Sequence, residues 1–125
     1  GLDSGAMLKE NHLRAIGNIR DALKLLKSKV PVLSKIEIEV TSLEEFRVAL
    51  DEGADLIMVD NFSWDDVAVA VKERNMKSSL AQLEVSGNLD GDKARQLVLS
   101  GVDFVSMGSL IHKAVWVDMS LQLFV

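Results

Sequence analysis

One repeated phrase constrains this chain more than any other: a short apolar run that stops at a polar residue or a glycine and is followed by a helix-forming stretch. Leu56-Ile57-Met58-Val59 stops at Asp60-Asn61, and Lys35 to Val40 alternates β-branched residues with Glu37 and Glu39. Leu80 to Val85 runs into Ser86-Gly87, and Val102 to Met107 runs into Gly108. The ends fall at Glu39, Asp60, Ser86 and Gly108, a regular step along the chain. Apolar runs of this length alternating with amphipathic stretches are βα units, whose strands pair in parallel through right-handed crossovers. The run Leu56–Val59 is expected to be buried on both faces, as strands of parallel sheets are. Two closures compete, an open doubly wound sheet and a (β/α) barrel. A complete barrel takes eight units and roughly 250 residues, whereas this chain has 125 and room for about five strands. The expected fold class is α/β: parallel βα units in a small open sheet or in part of a barrel.

The helices follow from periodicity and capping chemistry. Leu2 to Leu8 is expected to be a strand followed by the polar turn Lys9-Glu10-Asn11-His12. From Leu13, the apolar residues Ile16, Ile19, Leu23, Leu26 and Val30 recur at spacings of three and four, which predicts an amphipathic helix starting near Asn11 or His12. Ser42 and Glu45 form the reciprocal capping box of a second helix, with Leu43, Phe46 and Leu50 inward. Ser63 opens a third, with Val67, Ala70 and Val71 inward. Asp90 opens a fourth, with Ala94, Leu97 and Val98 inward, closed by Gly101.

Charge and composition exclude several function classes. The net charge of −5 argues against nucleic acid as the main partner, and the basic stretch Arg20 to Lys35 has the spacing of a solvated helix face. There are no cysteines, so neither disulfides nor thiolate metal sites are available. Two histidines in this spacing do not make a zinc site. No apolar run approaches the length of a membrane span, and the start Gly1-Leu2-Asp3-Ser4-Gly5 lacks the features of a signal peptide. A cytoplasmic protein with no membrane partner is expected. The absent initiator Met gives the further expectation that the chain is a fragment.

Two constellations could carry chemistry. Glu39 and Asp60 end successive strands, so in either closure they converge on the mouth of the sheet where ligands bind, with Lys9 at a third strand end. Each acid alone could equally cap a helix or pair with a lysine, and Glu37 shares a face with Glu39, so periodicity does not choose between them. The second constellation is Ser86-Gly87-Asn88 with Met107-Gly108-Ser109. Glycine after a parallel strand lets backbone approach a ligand, and amides at the following helical turn favour an anion. A phosphate site and an ordinary pair of turns both fit. His12 and His112 are further candidates for ligand contact, against helix-start and surface placements.

Assembled, these stretches resemble the C-terminal part of the quinolinate phosphoribosyltransferase family. The resemblance is carried by Leu8-Lys9-Glu10-Asn11-His12, Ile38-Glu39-Val40-Thr41-Ser42-Leu43-Glu44, Val59-Asp60-Asn61, Leu83-Glu84-Val85-Ser86-Gly87-Asn88 and Gly101 to Leu110. It implies a partial α/β-barrel domain over residues 1–125, lacking an N-terminal domain and the early barrel strands. It also implies a reaction in which quinolinate and phosphoribosyl pyrophosphate give nicotinate mononucleotide, pyrophosphate and carbon dioxide with Mg2+. A homo-oligomer, dimer or higher, is expected because an incomplete barrel exposes strand edges and apolar interior. By the same resemblance Lys9 meets substrate carboxylate or pyrophosphate charge, and Glu39 and Asp60 hold the ribose hydroxyls and Mg2+. Backbone amides around Ser86, Gly87, Asn88, Met107, Gly108 and Ser109 then hold the 5′-phosphate. Asn88 stands where many family members have a second glycine, and Ile111-His112-Lys113 departs from the threonine-containing form, which weakens the carry-over to His112. The family's arginine, lysine and His-Arg motifs are missing, so the chain alone is expected to be inactive. Two other readings stay open: a related barrel acting on another substrate, such as the molybdenum-transport-associated homologues, and a non-catalytic, self-associating half-barrel.

Overall fold

The structure is a computed structural model that describes residues 5–9 and 17–107. Five strands alternate with four helices: β1 (Gly5–Leu8), α1 (Ile19–Lys29), β2 (Lys35–Val40), α2 (Leu43–Asp51), β3 (Leu56–Asp60), α3 (Trp64–Met76), β4 (Gln82–Gly87), α4 (Gly91–Leu99) and β5 (Phe104–Met107). The strands form one sheet in the order β1-β2-β3-β4-β5, every pair parallel. That order separates the two closures. A doubly wound sheet reverses its strand order, which sends helices to both faces. A parallel order that never reverses, with crossovers of one hand, keeps the helices on one side and builds a wall of a barrel.

Burial along the strands agrees with one covered face. Ile36, Ile38 and Val40 of β2, Ile57 and Val59 of β3, and Leu83 and Val85 of β4 are buried. The alternate positions Glu37, Glu39, Leu56, Met58, Asp60, Gln82, Glu84 and Ser86 are only partly covered. The expectation that Leu56–Val59 is buried on both faces is therefore corrected, since only Ile57 and Val59 are. The other side of β3 belongs to the concave inner face, which the five described strands do not enclose.

Helix boundaries follow local chemistry. α1 begins at Ile19 rather than near Asn11, because Gly17 has φ of +99° and Asn18 is extended. The Asn18 side chain accepts from the Asp21 amide at 2.8 Å and so caps the helix. The apolar periodicity from Leu13 to Val30 thus spans a break that spacing alone does not show, and part of it, residues 10–16, lies outside those described. At α2, Ser42 accepts from the Glu45 amide at 3.2 Å as expected. The Glu45 carboxylate, however, reaches back to the Thr41 amide at 2.8 Å and not to that of Ser42. Ser63 and Asp90 cap α3 and α4 in the expected way.

The inward residues of α2 and α3 are those the periodicity selects: Phe46 and Leu50, then Val67, Ala70 and Val71, are buried. Fully burying one such large aliphatic or aromatic side chain stabilises the fold by roughly 1.5–3 kcal/mol. α4 departs from expectation. Leu97 is buried and Ala94 partly so, but Val98 is 54% exposed, because no described helix packs on the far side of α4. Ion pairs lace neighbouring helices together: Arg20 with Glu52, Lys77 with Asp51, and an Arg47 fork on Glu73 at 2.8–3.1 Å. The hydrogen bonds from Arg47 hold the Glu73 carboxyl below its ordinary range. Exposed pairs of this kind each contribute little, so the buried cluster carries the stability.

Candidate functional site

Strand parity decides which polar residues meet. Register pairs Glu39 with Met58, Asp60 with Ser86, and Ser86 with Ser106, so these residues share the partly open inner face. Glu39 and Asp60 stand near the carboxyl ends of adjacent strands, each half-buried. Lys9 directly follows β1, one residue past the Leu8–Ile38 pair, and is exposed at the same end. Gly87 ends β4 and Met107 ends β5, and the two are paired. The structure therefore gathers Lys9, Glu39, Asp60, Ser86, Gly87 and Met107 at one end of the sheet. Asn88 follows in an exposed bend. Gly108, Ser109, His12 and His112 lie outside the described residues.

Two further carboxylates lie deeper on the inner face. Glu37 precedes Glu39 by one full pleat repeat, and Glu84 precedes Ser86 by the same interval. The Glu37 carboxyl is raised above its ordinary value, first by burial and then by the negative charge of Glu84. Lys9 opposes that rise and Glu39 adds to it, so all three groups lie within electrostatic reach of Glu37. Ser106 donates its hydroxyl to Glu84. Glu37 and Glu39 thus both face inward, with Glu39 nearer the mouth. Glu84 and Ser106 were not among the candidates named from sequence. The signal was available, because period two puts Glu84 on the face of Ser86.

At the end of β3 the chain turns sharply. Asn61 has φ of +54°, in the left-handed region. Its backbone amide donates to the Ser86 carbonyl at 3.2 Å, extending the β3–β4 ladder by one bond. Its side-chain amide donates to Asp60 Oδ2 at 3.2 Å. Asn61 Oδ1 lies 3.6 Å from the place a Cβ on Gly87 would take.

A cavity of about 860 Å³ opens beside Glu39 between the amino ends of α1 and α2. It does not reach Asp60, Ser86 or Gly87, and Asp21, Glu44 and Glu45 on its rim disfavour a polyanion. The shared strand ends, not this cavity, form the candidate site. Among the described residues no cluster of three or more His, Cys, Asp or Glu side chains could hold a metal ion by itself. No helix among them is long and apolar enough to cross a membrane.

Residues 1–122 match the family described as quinolinate phosphoribosyl transferase, C-terminal domain. A probable nicotinate-nucleotide pyrophosphorylase [carboxylating] from Synechocystis sp. is 36% identical over 98% of this chain and 42% of its own length. The nicotinate-nucleotide pyrophosphorylase [carboxylating] of Mycobacterium leprae is 37% identical over 98% of this chain and 43% of its own. Among solved structures, the nicotinate-nucleotide pyrophosphorylase of Ehrlichia chaffeensis superposes with a TM-score of 0.77 at 31% identity, covering 88% of this chain and 39% of that one. The Francisella tularensis protein of the same name gives 0.75 at 38% identity, covering 88% and 38%. The chain therefore spans about two fifths of the length of the relatives it matches.

Proposed function

This chain belongs to the quinolinate phosphoribosyl transferase family, through its C-terminal domain, and from that premise we propose that it supplies one wall of a phosphoribosyl-transfer site. The reaction joins a ring nitrogen of quinolinate to the anomeric carbon of phosphoribosyl pyrophosphate as the bond to pyrophosphate breaks. The carboxylate beside the ring nitrogen then leaves as carbon dioxide, its bonding pair stays on the ring carbon, and that carbon takes a proton from water to give nicotinate mononucleotide. The observation that carries this reading is the convergence of Glu39, Asp60 and the Ser86-Gly87 backbone on one end and one face of the sheet.

The chemistry asks for that arrangement. Positive charge develops at the anomeric carbon as pyrophosphate departs, and carboxylates fixed beforehand on the inner face stabilise it without reorganisation. Glu39 and Asp60 have that role and also accept from the ribose hydroxyls. The backbone around Ser86, Gly87 and Asn88, with Met107 paired to Gly87, receives the 5′-phosphate through N–H groups; Gly108 and Ser109, outside the described residues, are assigned the same role from their place in the sequence after Met107. Lys9 offers positive charge to the pyrophosphate or to a quinolinate carboxylate. Two carboxylates without a third ligand suit Mg2+, which is commonly held by one or two carboxylates together with substrate phosphates. Glu39 and Asp60 would hold it, and it would neutralise charge on the departing pyrophosphate. The domain is read as the later part of a barrel, residues 1–125. Among the described residues β1 and β5 each pair on one side only, which supports completion of the wall by further strands and, in a homo-oligomer, by another copy.

The test is nicotinate mononucleotide formation from quinolinate, phosphoribosyl pyrophosphate and Mg2+. It is run on the 125-residue chain and on a chimera in which these residues replace the matching C-terminal segment of the Mycobacterium leprae relative. Turnover by the chimera and none by the chain alone is the expected result. A folded chimera that binds phosphoribosyl pyrophosphate but ignores quinolinate would move the substrate assignment to another acceptor, and one that binds neither would overturn the reading.

A further inference from the structure

Asn61 occupies a conformation that costs free energy for any residue with a Cβ and that glycine would adopt more cheaply. Asparagine visits this region more readily than most residues with a Cβ, and its three contacts indicate what the turn brings together. The backbone amide is held by the Ser86 carbonyl at 3.2 Å. The side-chain NH2 donates to Asp60 Oδ2 at 3.2 Å. The side-chain Oδ1 lies 3.6 Å from where a Cβ on Gly87 would stand, an ordinary contact distance, so the Asn61 amide rests against the turn that ends β4. The Asn61 side-chain amide engages one of the two oxygens of the Asp60 carboxylate.

We propose that Asn61 is a positioning residue that ties the Asp60 carboxylate to the Ser86–Gly87 turn and so fixes the carboxylate subsite relative to the phosphate subsite. The inference rests on the function proposed above for Asp60 and the turn. With Oδ2 occupied by Asn61, the carboxylate cannot rotate freely about its terminal bond, and Oδ1 is presented to the ligand. The left-handed turn is what lets one residue do this. An extended residue at this place would carry its side chain to the face of the sheet opposite that of Asp60, away from the carboxylate. A glycine would make the turn but leave the carboxylate unheld.

The test compares Asn61→Gly and Asn61→Asp with the parent in the protein at its full encoded length. The glycine variant keeps the turn and its backbone amide, so folding is preserved. The aspartate variant keeps the shape but replaces the donor by a second carboxylate. Both are expected to lower kcat about 10- to 100-fold, the usual scale for groups that orient a ligating side chain, while the KM for phosphoribosyl pyrophosphate changes less than threefold. A crystal structure of the glycine variant is expected to show Asp60 in more than one rotamer. Unchanged kcat in both variants, or an Asp60 carboxylate that keeps its single rotamer without the amide, overturns the proposal. If the parent shows no phosphoribosyl transfer, the function reading fails, and the rotamer comparison still decides the positioning role.

Discussion

Ile36 and Asp55 are joined by a reciprocal clamp: the Ile36 amide donates to the Asp55 carboxylate at 2.8 Å, and the Asp55 amide donates to the Ile36 carbonyl at 2.9 Å. Leu83 and Asp103 repeat it, with the same two bonds at 2.8 and 2.9 Å. In each case an aspartate just ahead of one strand satisfies the amide of the second residue of the preceding strand, which would otherwise lack a partner on that side. The clamp sets register at the amino ends of the strands. A slip of one residue would turn Glu39 and Asp60 away from the inner face and Val40 and Val59 into it.

Replacing Asp55 by alanine strands the partly buried Ile36 amide, and stability should fall by about 1–3 kcal/mol. Asp55→Asn, which keeps an acceptor oxygen, should recover part of the loss. Urea denaturation of the three proteins checks this. Equal midpoints would mean that the clamp contributes nothing to register.

Gly101 has φ of +103°, and a Cβ there would meet Val71 Cγ1 at 3.0 Å. Gly101→Ala combines a left-handed backbone with that contact against a buried valine, so the cost is expected to be about 1–2 kcal/mol. Thermal unfolding should show a lower Tm. A gain would indicate that the turn after α4 readily adopts another conformation.

Glu37 makes stability depend on pH in a definite direction. Its folded-state pKa is raised above 4.5 by burial and by Glu84. It therefore favours the fold when protonated, and that contribution is lost as pH climbs through the raised value. Glu37→Gln never ionises, so it should gain stability over the parent as pH rises from below 4.5 to neutrality, and the two should converge in acid. Melting curves on both sides of 4.5 test the sign, and a difference that widens in acid would reverse it.

Glu39→Gln and Asp60→Asn remove the two carboxylates nearest the mouth while keeping their volume. In an active chimera each should lower turnover on the order of 10²–10³-fold, the usual effect of deleting one preorganised electrostatic group. Circular dichroism should be unchanged, because both side chains are only half-buried. Activity within threefold of the parent for either one would remove that residue from the site.

Much of the architecture was legible because it rests on local rules. The caps Ser42, Ser63 and Asp90, the inward faces of α2 and α3, and the positions of Glu39, Asp60 and Ser86 at strand ends all follow from side-chain chemistry and periodicity within a few residues. Errors arose where a local pattern continued across a backbone event. The periodicity from Leu13 ran through the Gly17–Asn18 break, and Val98 kept the spacing of an inward residue although no described neighbour covers it. Period two puts Glu84 on the face of Ser86, but its hydrogen bond from Ser106 depends on the pairing of β4 with β5 and is not legible within either strand.

The sequence by itself determined the alternation of strand and helix, the parity of each strand and the family likeness, since those depend on residues close together in the chain or on motifs read in order. Only the tertiary structure decided between an open sheet and a barrel wall, because that choice is made by strand order, and strand order depends on contacts between distant segments. The same holds for Asn61. Its place after Asp60 was visible at once, but its reach across to Ser86 and Gly87 exists only because parallel pairing brings β4 alongside β3.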